Sequence, residues 1–419
     1  MKKFTQTIPY RIYNNVRRRG QIFYYNKFCL PKLLKKVSKK KVLNVAFEAW
    51  NISMWKYHSL YEAMKKDSRF NPIVVLTPTP RKENDIRQRH LSEMQNLFSA
   101  RNYNIYPKVI WDSLSYENLK DDFDLIFYCQ PYRQMKLSKT VKTHLWGYSE
   151  YGYSTNTNCR WCENTMMKNI TFMYCADSQL AIDDAKRITI VKGKNRTYTG
   201  YLFGDELLRP IETETFTWKQ QKSECYKIIW APHFSIDPNH VLKLSHFLEI
   251  CDGMVELAKK YSGKVQFVFK PHPFLYNQLC QTDGWGRERT DNYYNLWKNL
   301  ENCQFEDGLY THLFHSADAI IHDCASFTVD WLFTGKPGFY VSNKDKIKDF
   351  NKIANEAYNC YYKGVTIDQI DDFINHVVID GKDDRQICRK AFFDTYLLPP
   401  NAKTAAENVI DTLVQKIWG

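Results

Sequence analysis

The sequence predicts two doubly wound α/β domains, one after the other along the chain. Three observations carry that expectation. Short, nearly continuous apolar runs of strand length recur, as parallel strands buried on both faces require. Segments with apolar residues at helical spacing separate them, which implies right-handed strand–helix–strand crossovers. The rhythm stops near residue 200, passes through the polar stretch 212–224 and restarts at residue 227.

Each element follows from its residues. VLNVAF (42–47) reads as a first buried strand. A loop with Trp50, Asn51 and Ser53 leads to a helix that spaces Trp55, His58 or Leu60, and Met64 on one face. NPIVVLTP (71–78) is a second strand bounded by prolines, 83–99 a helix, and DLIFYC (124–129) another buried strand. Residues 143–215 carry aromatic and glycine punctuation, with strand-like pieces at 170–175 and 187–191, and TGYLFGDELLRP (199–210) reads as the exit from the domain. In the second half KIIWAP (227–232) is a strand ending at a proline, 239–261 a long amphipathic helix, and VQFVFKPHP (265–273) a strand running into a stiff loop. A helix at 308–316, a strand at 318–322, a helix at 326–334 and a strand at 337–341 follow. The expected domains are 42–215 and 216–419, with residues 1–41 as an arm outside both.

That arm holds the charge. The chain is +13 overall, yet residues 1–41 contain thirteen Lys or Arg and no Asp or Glu, leaving 46 basic against 46 acidic side chains elsewhere. Aromatic and apolar residues interleave with the charge, among them Tyr13, Phe23, Tyr24, Phe28 and Leu33. Basic groups with interfacial aromatics suit an anionic membrane surface. A solvated basic arm is the plain alternative. No nucleic-acid motif accompanies it, so no nucleic-acid partner is expected. No run of about 18 apolar residues and no apolar segment after the first lysines is present, so neither a membrane span nor a signal peptide is expected. The expected location is the cytoplasm, peripheral on the inner face of the membrane. Twelve scattered cysteines then read as mostly free thiols.

Two strand ends carry polar residues that a buried core does not need. In Lys270-Pro271-His272-Pro273 two prolines fix φ on either side of a histidine and remove two backbone donors. Such rigidity aims an imidazole, although a turn with an incidental histidine fits the same residues. In His322-Asp323-Cys324-Ala325-Ser326 a polar loop joins a strand to a helix. Ser326 is a suitable N-cap or phosphate donor, and Asp323 either orders the loop or bonds a ligand hydroxyl. Weaker candidates are the Asp122–Asp124 pair, which fits a helix-to-strand turn better than a metal site. The Cys159–Cys162 pair with Cys175 lacks a fourth zinc ligand. His144, Trp146, Tyr148 and Tyr151 fit a cleft lining or a core equally well.

Four segments together, IIWAPHF (228–234), FVFKPHP (267–273), DAIIHDCASFTVDWLFTGKPGFYV (318–341) and TGYLFGDELL (199–208), resemble the CDP-glycerol glycerophosphotransferase family of teichoic-acid primases and polymerases. The resemblance implies a GT-B fold of two facing Rossmann-like domains, with the nucleotide donor on the C-terminal one. It implies transfer of glycerol phosphate from CDP-glycerol, or use of another cytidine nucleotide, onto a lipid-linked glycan acceptor, with no metal or other cofactor. The family's His-Pro pair falls on His272 and Pro273, and its Asp-Tyr-Ser-Ser stretch on Asp323 to Ser326, matching at the first and last positions. His272 is thus expected at the donor diphosphate with Lys270, Asp323 and Ser326. The family's Trp-His-Gly is absent, and His144 is the nearest equivalent for a catalytic base. Cytidine-nucleotide glycosyltransferases share the His-Pro and serine signals, and a non-catalytic binding protein on the same fold is the third reading.

Overall fold

The computed structural model describes residues 8–79, 84–110, 119–129, 140–156, 163–209, 215–237, 239–240 and 243–419. The chain forms two compact units: 1–154 with 158–205 and 399–419, and 155–157 with 206–398.

In the first unit β1 (Leu43–Ala49), β2 (Phe70–Leu76), β3 (Leu125–Tyr128), β4 (Leu145–Ser149), β5 (Met173–Ala176) and β6 (Arg196–Tyr198) make one parallel sheet, ordered β2-β1-β3-β4-β5-β6. Every residue of β3, β4 and β5 is buried, which is why β3 and β5 are unbroken apolar runs and β4 carries only Gly147 and Ser149 besides apolar residues. Residues 187–191, expected as a strand, are instead the end of a helix, Gln179–Ile188, and its exit turn. Ser178 caps that helix through the Ala181 N–H, and Ala181 and Ala185 bury one face at a helical period.

Residues 8–41, the described part of the expected arm, do not stand outside the domains. Helices Ile8–Tyr24 and Leu30–Val37, joined by a π-helical turn, belong to the first unit. Ile22, Tyr25 and Val37 are buried in its cores, with Leu30, Leu33 and Leu34 packed against them. Their spacing of three to five residues puts them on one side, and that side docks. The expected C-terminal domain also loses its tail. The final helix, Ala405–Trp418, buries Ala405, Ala406, Val409, Ile410, Leu413 and Ile417 in the first unit's core. Asp205 anchors its start by accepting the Ala405 and Ala406 N–H groups at 2.9 Å each. For 342–419 the sequence reading went no further than membership of the C-terminal domain, so neither this helix nor the core that receives it was anticipated.

In the second unit β7 (Tyr226–Ala231), β8 (Val265–Phe269), β9 (Cys303–Phe305), β10 (Ala319–His322), β11 (Gly338–Val341) and β12 (Tyr362–Gly364) make a parallel sheet ordered β12-β11-β10-β7-β8-β9. Strand order reverses between β7 and β10, the switch point beyond which ligands bind in doubly wound sheets. Below it sits an aromatic core in which Trp230 stacks on Phe247 at 5.7 Å and meets Phe269 and Trp297 at 5.0 Å each. Two helices are shorter than their periodicity suggests. The one expected from residue 239 begins at Phe247, because the backbone before it is drawn to the sheet by Asp323. The one expected over 326–334 is a single α-turn, Phe327–Asp330, followed by a 3₁₀ turn that ends at Gly335 with φ of 70°.

Candidate functional site

The C-terminal ends of β7, β8 and β10 meet at the switch point of the second unit. After β8 the chain stays on the sheet's edge of its neighbour: Lys270 N–H donates to Trp230 O at 2.8 Å and His272 N–H to Pro232 O at 3.0 Å. The loop is therefore held by backbone as well as by its two prolines. His272 Nδ1 accepts the Phe274 N–H at 3.1 Å. A neutral ring with Nδ1 so occupied carries its proton on Nε2. Burial lowers the His272 pKa to about 4, so the ring is neutral at pH 7 and offers one N–H donor.

The loop after β7 repeats this device. His233 Nδ1 accepts the Ser235 N–H at 3.2 Å and lies 2.8 Å from the Ser235 hydroxyl, which also accepts the Leu244 N–H. Burial, with the charges His272 and His240 would carry, lowers the His233 pKa to about 3. The His233 and His272 rings are 5.1 Å apart, and the Phe234 ring is 4.4 Å from each. Sequence reasoning assigned His233 no role. The signal was present: Pro232-His233 and Pro271-His272 end two strands that pair directly, Trp230 opposite Phe269.

Asp323 ties the loops together across the switch point. Its carboxylate accepts the His233 N–H through one oxygen and the His246 N–H at 2.9 Å through the other. Burial pushes its pKa up to about 7 against the pull of those bonds. Of its two expected roles, ordering the backbone is the one the geometry realises. Beside it, Cys324 donates its thiol to Ala231 O at 3.2 Å. Ser326 is exposed at the loop tip and makes no side-chain cap, so the expected N-cap bond is absent. Lys270 is buried and turned away toward the loop after β9, where Nζ donates to Gly308 O at 2.7 Å. Burial lowers its pKa to about 8, opposed by Glu306 and Asp307.

Four of the expected site residues, Lys270, His272, Asp323 and Ser326, thus lie at one end of one sheet. His144 does not join them. It precedes β4, at the opposite end of its strand from Ser149, is fully buried, and sets Nε2 3.2 Å from Leu119 O and Nδ1 2.9 Å from the Thr143 hydroxyl. A ring locked there into the core cannot meet a ligand at strand C-termini. Trp146 and Tyr148 are core residues too. Asp122 and Asp124 form the expected turn, accepting from Tyr106 and from the Asn44 backbone. Cys159 and Cys162 lie outside the described residues. Among the described residues no cluster of three His, Cys, Asp or Glu side chains is placed to hold a metal ion.

The buried histidines give the second unit a defined acid response. His233, His272 and His322 have pKa values of about 3, 4 and 3, all below the ordinary 6.5 through burial. The unfolded chain takes up their three protons first as pH falls, so their contribution is full above pH 6.5 and is lost on acidification. Asp323 has the opposite sign, with a folded pKa of about 7 above its ordinary 3.8. His233→Gln should therefore flatten the rise of stability with pH, between pH 4 and 6, by about 1.4 kcal/mol per pH unit, one proton's worth. Urea unfolding at a series of pH values checks this, and an unchanged slope would show that the ring is not held neutral.

No family model matches the chain, and no curated protein sequence does. Solved structures do match. The UDP-GlcNAc 2-epimerase from Neisseria meningitidis bound to UDP-GlcNAc is 13% identical with a TM-score of 0.56, the match covering 89% of this chain and 99% of that one. The wall teichoic acid polymerase TagF, in a histidine variant, is 13% identical with a TM-score of 0.55, covering 96% and 99%. S. aureus MnaA with UDP is 10% identical with a TM-score of 0.53, covering 89% and 96%. At such identities the likeness is one of fold: the chain has a GT-B-like α/β architecture built from two Rossmann-like units.

Proposed function

We propose that the protein is a transferase of cell-surface polymer assembly that binds a cytidine-nucleotide donor at the switch point of its second unit. In this reading it moves glycerol phosphate from CDP-glycerol to a lipid-linked glycan acceptor. The observation that carries it is the pair of neutral imidazoles, His233 and His272, held 5.1 Å apart at the ends of adjacent strands, each with its Nδ1 occupied. Two rings so fixed aim N–H donors without adding charge, which suits the bridging and terminal oxygens of a diphosphate. The acceptor hydroxyl oxygen bonds to the glycerol-bearing phosphorus, and the phosphorus–oxygen bond to CMP breaks. The leaving phosphate gains negative charge, which His272 Nε2–H stabilises and Ser326 supports from the loop tip. His144 is withdrawn as the base, and the acceptor hydroxyl's proton passes to solvent water as the new phosphorus–oxygen bond forms.

A second reading is an enzyme acting on a nucleotide-activated sugar. The missing Trp-His-Gly and the burial of His144 favour it, since the acceptor side then departs from the family's pattern. Thermal shift separates the two. CDP and CMP should raise the melting temperature more than UDP or GDP at equal concentration, because a ligand stabilises the state it binds. Equal shifts from all four would sink the cytidine assignment, and a larger shift from UDP would favour the nucleotide-sugar reading.

A further inference from the structure

The N-terminal helix has two unlike sides. Ile22 and, just beyond it, Tyr25 face the first unit's core and are buried. The other side exposes Ile12, Tyr13, Val16, Phe23 and Tyr24, with Phe28 in the following turn, each between 46% and 65% exposed. At 100° per residue Ile12, Val16 and Phe23 fall on one line of the helix with Tyr13 and Tyr24 beside it, so the exposed apolar side chains share one side as a stripe with a gap between Val16 and Phe23. Arg17, Arg19 and Lys27 border or interrupt the stripe and are exposed themselves.

An open groove of about 360 Å³ runs along this helix. Its apolar lining is Ile22 and Phe23 from the helix, Phe23 being shared with the exposed side, and Ile190 and Val191 from the loop after the helix ending at Ile188. Its polar lining is Arg19, Asn26 and Lys27. Asn26 is fixed by donating to Ile22 O at 3.0 Å and Asn169 O at 3.1 Å. Among the described residues neither Arg19 nor Lys27 has an acidic partner, and Lys27 Nζ rests 5.2 Å from the Phe23 ring. Exposed Lys192 and Lys194 follow Val191 in the chain. Two cations without counter-charge, beside an apolar lining and an exposed apolar stripe, complement a ligand with an anionic head and a hydrocarbon tail.

We propose that this groove binds the phosphate headgroup of an anionic phospholipid while the stripe from Ile12 to Phe28 lies in the acyl boundary of the bilayer. The helix then lies flat on the membrane. Among the described residues no helix is long and apolar enough to cross it. Binding here does not depend on what the second unit's site holds, so the two proposals fail separately.

The full chain is sedimented with phosphatidylglycerol–phosphatidylcholine vesicles and with pure phosphatidylcholine vesicles. Binding is expected to the first and to be at least tenfold weaker to the second. The double variant Arg19→Glu/Lys27→Glu should lose at least tenfold in affinity. Lys35→Glu/Lys39→Glu carries the same charge change in the same segment outside the groove, and should lose severalfold less. Equal losses from both would mean diffuse adsorption and overturn the headgroup site. Ile12→Ser/Val16→Ser/Phe23→Ser should abolish vesicle binding with no change in mass in solution. A wild-type dimer that this variant converts to monomer would overturn the proposal in favour of a second copy on the stripe. Nucleotide-induced thermal shifts should be unaltered in all three variants.

Discussion

His272→Ala is expected to lower turnover about a hundredfold or more while leaving the melting temperature of the nucleotide-free protein nearly unchanged. The magnitude is that of removing one preorganised donor from developing negative charge. The selectivity follows from the geometry. The backbone N–H and C=O of His272 hold the loop through Pro232 and Leu275, and those bonds survive the substitution. The side chain's own contacts are to Phe234, Phe274 and His233 at the end of the sheet, above the Trp230 core rather than within it. The assay follows release of CMP from CDP-glycerol, with nucleoside phosphate release from CMP- and UDP-sugars as parallel arms. His272→Gln restores an N–H donor of similar reach and should recover part of the loss. A His272→Ala protein that melts normally and keeps near-wild-type turnover would remove the ring from the chemistry.

The sheets were legible because burial on both faces writes itself as uninterrupted apolar sequence, as in β3 and β10. What failed was long-range placement. The helix at 405–418 has a clear apolar face, yet nothing in its own sequence says that its core lies some two hundred residues upstream beside Asp205. Residues 8–41 were misread for a related reason. Their charge dominates the composition, while the few apolar positions that dock them, Ile22, Tyr25 and Val37, are a minority of the segment. At the site, His272 was found because two prolines flank it. His233 was passed over because only one proline precedes it and its orienting partners, Ser235 and Asp323, act through loop geometry that no periodicity encodes. His144 stood only as the nearest equivalent to the family's Trp-His-Gly, its aromatic neighbourhood fitting core or cleft equally, and the structure buries it ahead of β4, at the far end of the strand from Ser149.

Asp323 is where the fold and the site depend on one side chain, and Asp323→Ala is expected to be the most destabilising single change in the second unit. Its two oxygens receive the backbone N–H groups of His233 and His246, at the two ends of the connection between β7 and the helix that begins at Phe247. Truncation leaves both donors without a partner, at about 1–3 kcal/mol each, or about 2–6 kcal/mol in all. For a unit of this size that is a fall in melting temperature on the order of 10 °C. The nucleotide-induced shift should vanish as well, since His233 loses its anchor. Asn in place of Asp should not rescue fully, because its amide presents one acceptor and one donor, and the donor meets a backbone N–H head-on. The penalty should also depend on pH with a fixed sign. Burial raises the folded pKa of Asp323 to about 7 from 3.8, so its stabilisation is greatest at low pH and is lost as pH rises through 7. Asp323→Ala should therefore cost more at pH 5 than at pH 8, measured as the difference from wild type by urea unfolding at each pH. A penalty that is equal at both would show that the carboxylate stays ionised in the fold. A variant that melts like wild type and still responds to nucleotide would show that the connection holds its place without it.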